Sequence, residues 1–239
     1  MTFSKDEVAA LLRAYVTKND IKPDPDHSPW NSSVYVVLDC VFSSQAKYKS
    51  TVLPILRERF PKRTGLTDEP NLTLSHFIES VNNFAPMSER FERYASEVLG
   101  NRQKIGRRLK VQIVYDVCYF LVQRGMQTMA DLKAVPDEGL DRMILEDLVG
   151  GVYGIGPVLA RYLLLLIGRE DHVKPDTMLV RLFSRLGDWK PRFGHREDME
   201  RIRAAITEVA RELGTTPARL DNALWLAESL RSSKTKVVN

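Results

Sequence analysis

The sequence predicts an all-α protein. Three observations carry that expectation: apolar residues recur at three- and four-residue spacing in segment after segment, the segments open on capping residues and close on glycine or proline, and no stretch alternates with period two. The 239 residues are 44% hydrophobic, enough for a buried core, and carry a net charge of +4, a mild basic bias that suits a polyanionic partner. Cys40 and Cys118 fall in apolar helical patterns and read as buried thiols of a reducing compartment. With no histidine beside them they build neither a zinc site nor a four-cysteine iron–sulfur cluster. The longest apolar runs, such as Leu163 to Ile167, are far shorter than a membrane span, and no signal peptide opens the chain. The expected location is therefore the cytoplasm, on the nucleoid, with no membrane partner.

Taken in order, Ser4 and Glu7 form a capping box, and Val8, Leu11, Leu12, Tyr15 and Val16 make one face of a helix ending near Lys18. Asp20 to Pro29 carries Pro23, Pro25 and Pro29, cannot be helix, and reads as a linker or a crossing segment. Trp30 opens a helix with Val34, Val37, Leu38 and Val41 inward, ending in Ser43-Ser44-Gln45-Ala46. A further helix buries Val52, Ile55, Leu56 and Phe60 and is stopped by Pro61, before a polar loop to Asn71. Helices resume around Phe77, Ile78 and Val81, and again after Ser88, closed by Gly100. A basic segment with Arg102, Lys104, Arg107, Arg108 and Lys110 then leads into a helix burying Ile113, Val114, Val117 and Leu121. A charge run at a helix start is ordinarily a solvated face, with phosphate contact as the alternative. Thr128 with Asp131 forms another capping box, and Asp137 caps a helix carrying Leu140, Met143, Ile144 and Leu148. The last helices bury Met199, Ile202, Ile206, Val209 and Leu213, then Leu220, Ala223, Leu224 and Trp225, leaving a polar tail from Ser232.

Between them lies the stretch from Gly150 to Phe183. Gly154-Ile155-Gly156 is a tight turn with Pro157 at the first position of an apolar helix that ends at Gly168. Backbone N–H groups at such a turn point outward and suit a phosphate. A short polar loop then ends at Asp176, the N-cap of the next helix.

These features, in this order, resemble the helix-hairpin-helix DNA glycosylases, an endonuclease III-like superfamily named for a hairpin, a Gly/Pro-rich loop and an aspartate. Tyr153-Gly154-Ile155-Gly156 is similar to the family's hairpin, and Lys174-Pro175-Asp176-Thr177 followed by Arg181 is similar to its aspartate segment. Ser44-Gln45-Ala46 matches the segment that inserts a glutamine into the duplex, and Leu220 to Trp225 resembles the closing helix of some members. The resemblance implies a bilobal all-helical fold with an interlobe cleft. Residues 28–170 would form a helical bundle ending in the hairpin, and residues 1–27 with 171–239 the second lobe. It also implies that the protein acts as a monomer on double-stranded DNA containing a damaged or modified base. Asp176 would stabilise the oxocarbenium-like sugar as the base leaves; Gly154, Ile155, Gly156 and Val158 would hold a phosphate, with Arg161 and Lys174 adding charge and Gln45 filling the vacated site. Trp30, Tyr35 and Tyr153 are candidates to stack on the extruded base, with core packing as the alternative. Of cofactors, the resemblance implies at most a monovalent cation at the hairpin.

Two departures narrow the chemistry. Bifunctional members place a lysine where this chain has Val158, and an imine needs a primary amine, so the expected enzyme is monofunctional, without lyase activity. No cysteine follows Cys118, so no iron–sulfur cluster is expected and the second lobe must be held by apolar packing. The leading expectation is a DNA N-glycosylase of base excision repair that leaves an abasic site. A catalytically inactive DNA-binding protein of the same fold and an all-helical adaptor are the alternatives; only the glycosylase needs Asp176 as more than a cap.

Overall fold

The computed structural model describes residues 3–24, 30–173 and 175–234. Residues 25–29 of the expected linker, and Lys174, lie outside the described residues. The protein is all-α apart from one small hairpin. In chain order the helices are α1 (Lys5–Lys18), α2 (Ser33–Phe42), α3 (Phe60–Thr64), α4 (Leu74–Asn82), α5 (Arg90–Arg93), α6 (Lys110–Val122), α7 (Met129–Ala134), α8 (Asp137–Arg142), α9 (Val149–Gly151), α10 (Pro157–Ile167), α11 (Thr177–Leu186), α12 (Arg196–Glu212) and α13 (Pro217–Lys234). Strands β1 (Lys104–Ile105) and β2 (Arg108–Leu109) pair antiparallel just before α6. The chain divides into two compact units, Ser28–Gly168 and Met1–His27 with Arg169–Asn239.

The 28–168 unit is built around α2, which is buried along its whole length and packs against α6 and α10. Its core includes a relay of rings, with Tyr35 against Phe60, Phe60 against Phe77 and Phe77 against Tyr94, at centroid separations of 5.6, 6.1 and 6.0 Å. Local capping sets the starts of α2, α4 and α7: Ser32 accepts from the Tyr35 N–H, Thr73 from His76, and Thr128 and Asp131 close their box. Asp68 adds two acceptors from outside, taking the N–H groups of Asn31 and Ser32. Trp30 therefore precedes α2 rather than opening it. Asp137 is likewise the first residue of α8, which follows Pro136 without a side-chain cap.

Pro61 does not stop its helix. The turns before it are wide, with the N–H groups of Leu53 and Phe60 bonding five residues back to Tyr48 and Ile55, and the chain passes through Pro61 to end at Gly65 with φ 73°. Proline removes one N–H and crowds the carbonyl four residues earlier; a five-residue bonding register just before it eases the crowding. The same widening recurs in Tyr94–Val98, after α5, and in Met143–Leu148, which joins α8 to α9 as one continuous arm.

In the other unit, α1 lays Val8, Ala9, Leu12 and Val16 against α12, and Arg13 bridges to Glu208 and Glu212 at the rim. Leu179, Leu182 and Phe183 of α11, Ile202, Ile206 and Val209 of α12, and Leu220 and Leu224 of α13 complete the core. A buried Glu228 accepts from Tyr15 Oη and pairs with Arg185, tying α13 to α1 and α11. Helix α13 continues past Ser232, where the polar tail was expected to begin, as far as Lys234.

Candidate nucleic-acid interface

The turn between α9 and α10 is tight for a local reason. Gly154 has φ 92°, and a Cβ there would stand 2.6 Å from Ile113 Cδ1 on α6, so the backbone sits directly on the helix beneath. Ile155 is buried and its N–H donates to the Val152 carbonyl at 3.3 Å. Gly156 differs: at φ −99° it is the N-cap of α10, and a Cβ on it would meet nothing within 4 Å. With Pro157 next and no capping side chain, the N–H groups of Gly156, Val158 and Leu159 donate to no described residue. The sequence thus folds one glycine downward for packing and leaves the other open to an approaching acceptor. Val158 is half-buried and aliphatic, and Arg161, also half-buried, has no charged partner among the described residues.

The Ser43–Ala46 loop follows α2. Gln45 is exposed and lies in the left-handed region at φ 50°, a conformation that costs a non-glycine residue roughly 1–2 kcal/mol. Two buried ionisable groups fix this loop. Asp39, fully buried, accepts from Ser43 Oγ at 2.7 Å, Tyr48 Oη at 2.7 Å, Tyr162 Oη at 2.9 Å and Trp30 Nε1 at 2.7 Å. Lys110, only 2% exposed, donates its three protons to the carbonyls of Phe42 at 3.0 Å and Ser44 at 2.5 Å and to Gln103 Oε1 at 2.8 Å. All three acceptors are neutral, and burial pulls the lysine down to about 8. The same burial, reinforced by Asp39, pushes the Tyr48 and Tyr162 phenols up, so both stay protonated donors to the carboxylate.

The aromatic candidates separate. Tyr35 is core: 2% exposed, its hydroxyl on the Leu66 carbonyl and its ring 5.3 Å from Trp30, it offers no face to a base. Trp30 is half-buried, its indole N–H held by Asp39. Tyr153 is 50% exposed and leans on the β1–β2 turn, 3.4 Å from the Arg107 N–H.

Asp176 caps α11. Its Oδ1 accepts from the N–H groups of Met178 at 2.8 Å and Leu179 at 3.1 Å, and Oδ2 accepts nothing from the described residues. The side chain is half-buried. The loop before it is tied down through Glu170, whose carbonyl takes the Ala218 N–H at 3.1 Å and whose carboxylate takes Arg219 at 3.0 Å, while Val173 and Pro175 are buried. Capping and an unengaged carboxylate oxygen coexist here because only one of the two oxygens is used as the cap. Arg181, a turn further along α11, is exposed.

A model of the family described as a domain of unknown function (DUF8548) matches residues 6–229. The chain belongs to that family. The match runs from α1 into α13, so both units are part of the DUF8548 domain. No curated protein matches in sequence. Among solved structures the DUF8548 chain is similar to the 8-oxoguanine DNA glycosylase of Thermotoga maritima, at 17% identity over 93% of this chain and 96% of that one, with a TM-score of 0.48.

Three features of this DUF8548 domain escape sequence reading. Lys110 reads as the last cation of a solvated run and is instead buried beneath the Gln45 loop. Asp39 sits unmarked in an apolar helix; of its phenol partners, Tyr48 lies beyond the end of that helix and Tyr162 is far from it in sequence. The basic segment leads into α6 through a hairpin of two-residue strands, too short to show alternation. Among the described residues no group of three or more His, Cys, Asp and Glu side chains is placed to hold a metal ion, and no helix is long and apolar enough to cross a membrane.

Proposed function

We propose that this protein is a monofunctional DNA N-glycosylase that flips a modified base out of duplex DNA and hydrolyses its bond to the sugar, leaving an abasic site. The observation that carries the reading is the division of labour at Asp176: one oxygen is fixed by the first N–H groups of α11, and the other is left without a partner among the described residues. As the bond between C1′ and the base nitrogen breaks, the bonding electrons leave with the base and positive charge grows on the sugar. The unengaged oxygen stabilises that charge and accepts a proton from the water that attacks C1′. The departing base takes up a proton and leaves neutral.

The remaining assignments follow. The open N–H groups of Gly156 and Val158 and the charge of Arg161 hold a backbone phosphate; Lys174 adds charge near Asp176 in the sequence. Gln45, presented on its pinned loop, enters the duplex and bonds the orphaned base. Trp30 and Tyr153 supply the stacking surface, with Tyr35 behind Trp30. The main-chain carbonyls of Tyr153, Gly154 and Ile155 accept no hydrogen bond from the described residues and are the donor set a monovalent cation would use. With valine at position 158, no hairpin amine is present to form an imine, which makes the route hydrolytic. The protein acts alone, as a monomer, on cytoplasmic DNA.

Incubation with duplexes carrying uracil, 8-oxoguanine, hypoxanthine or alkylated purines, followed by alkali, tests the proposal. Alkali-dependent cleavage at one lesion, with no borohydride-trapped adduct, is expected. Salt-sensitive binding without excision would instead identify a non-catalytic DNA-binding protein, and a trapped adduct would overturn the hydrolytic route.

A further inference from the structure

The five cations of the segment 102–110 have three different fates. Arg102 is neutralised by Glu92 at 2.7 Å and Arg108 by Asp116 at 2.5 Å. Lys110 is buried under three oxygens. Lys104 and Arg107 are exposed and have no acidic partner among the described residues. These two unpaired cations stand on one small hairpin, Lys104 opposite Leu109 at its base and Arg107 in the two-residue turn beside Gly106.

The turn is fitted to the α9–α10 turn rather than standing free. Gly106 has φ 59°, a backbone conformation that favours glycine, and a Cβ on it would lie 2.2 Å from Tyr153 Oη, so a side chain there would push the tyrosine aside. The Arg107 N–H points at the same hydroxyl, and the Arg108 guanidinium, held by Asp116, lies 5.5 Å from the centre of the Tyr153 ring. Tyr153 immediately precedes Gly154 and the open N–H groups of Gly156, Val158 and Leu159. Two turns distant in sequence thus form one surface that presents backbone donors and unpaired cations together.

We propose that the β1–β2 turn is a second grip on the DNA backbone, in which Lys104 and Arg107 contact phosphates beside the one held at Gly156. The assignment rests on the reading of the protein as a DNA-binding enzyme. Lysine supplies a mobile point charge and arginine a planar fork that can bond two phosphate oxygens at once. Arg108 does not join them: its charge is spent on Asp116, and its part is to hold Tyr153 in place.

Binding of an undamaged duplex, followed by fluorescence anisotropy between 50 and 200 mM salt on the full chain, tests the assignment. Removing one phosphate neutralisation lowers the slope of log K against log salt by about 0.9, so Lys104→Ala/Arg107→Ala should flatten it by about 1.8. Lys62→Ala/Arg63→Ala removes two exposed cations elsewhere in the same unit and should leave the slope as in wild type. Both pairs lie on the surface, and unchanged melting temperatures would confirm intact folds. A flattened slope in the first variant alone supports the second grip. A wild-type slope in the first variant, or equal flattening in both, overturns it while leaving DNA binding intact. Wild-type protein that shows no salt-dependent binding overturns the DNA reading itself, and this assignment with it.

Discussion

Two surface elements of the 28–168 unit solve the same problem by opposite means. Both the Ser43–Ala46 loop and the Val152–Gly156 turn hold one residue in the left-handed backbone region, Gln45 at φ 50° and Gly154 at φ 92°. At Gly154 the residue type itself removes the strain, and the turn needs only the apolar flank of Ile113 beneath it. At Gln45 a full side chain is kept in a costly conformation, and the loop is fixed by a buried lysine on one side and a buried aspartate on the other. Strain of this kind persists only where the surroundings over-determine it, and it is concentrated at functional positions. In the proposed function it is the side chain of Gln45 that enters the duplex, whereas at the Gly154 turn it is the backbone that is used.

Four substitutions probe that contrast. Lys110→Met should have the largest effect, about 3 kcal/mol of lost stability in urea titration, because three buried acceptors lose a charged donor. Its pH signature is distinctive. The folded-state value lies below the unfolded one, so between about 8 and 10 the unfolded chain holds a proton that the native lysine has released, and stability gains a component that rises with pH. The difference in stability between wild type and Lys110→Met should therefore widen, in favour of wild type, as pH rises through that window. A pH-independent difference would show that the amine is hydrated rather than buried.

Gly154→Ala comes next, at about 1–3 kcal/mol, since the new methyl meets Ile113 and the φ angle is unfavourable; a melting curve matching wild type would show that the turn is free to move off α6. Gln45→Gly is expected to raise stability slightly, by up to about 1 kcal/mol, as the strain is relieved. The same variant should bind a lesion-containing duplex more weakly, and unchanged lesion binding would remove the wedge. Gly156→Ala is smallest: the position is open and its φ ordinary, so thermal stability should stay within about 0.5 kcal/mol of wild type while DNA affinity falls.

What could be read from the sequence follows from how local the physics is. The Ser4–Glu7 and Thr128–Asp131 capping boxes, the Pro157 start and Gly168 end of α10, and the Asp176 cap are set by residues within a turn of one another, and each stands where the spacing puts it. Pro61 misleads because a wide turn absorbs it, a backbone choice that no side chain announces. Lys110 is invisible because two of its three acceptors are main-chain carbonyls, which every residue possesses. The β1–β2 turn is hidden by brevity, and its Gly106 acquires meaning only when Tyr153 is placed against it. Candidate site residues follow the same line: Asp176 and Gly156 are legible from local pattern, whereas the burial of Tyr35 depends on Phe60 and Leu66, which lie outside its helix.

Single-turnover excision by Asp176→Asn, on whichever lesion duplex the wild type cleaves, puts the enzymatic reading to the proof. Asparagine caps α11 as well as aspartate does, so folding and duplex affinity should be retained. The carboxylate that meets the growing positive charge is gone, and excision should slow by at least about a hundredfold. Excision at the wild-type rate by a folded, DNA-binding Asp176→Asn protein would contradict the role given to this carboxylate.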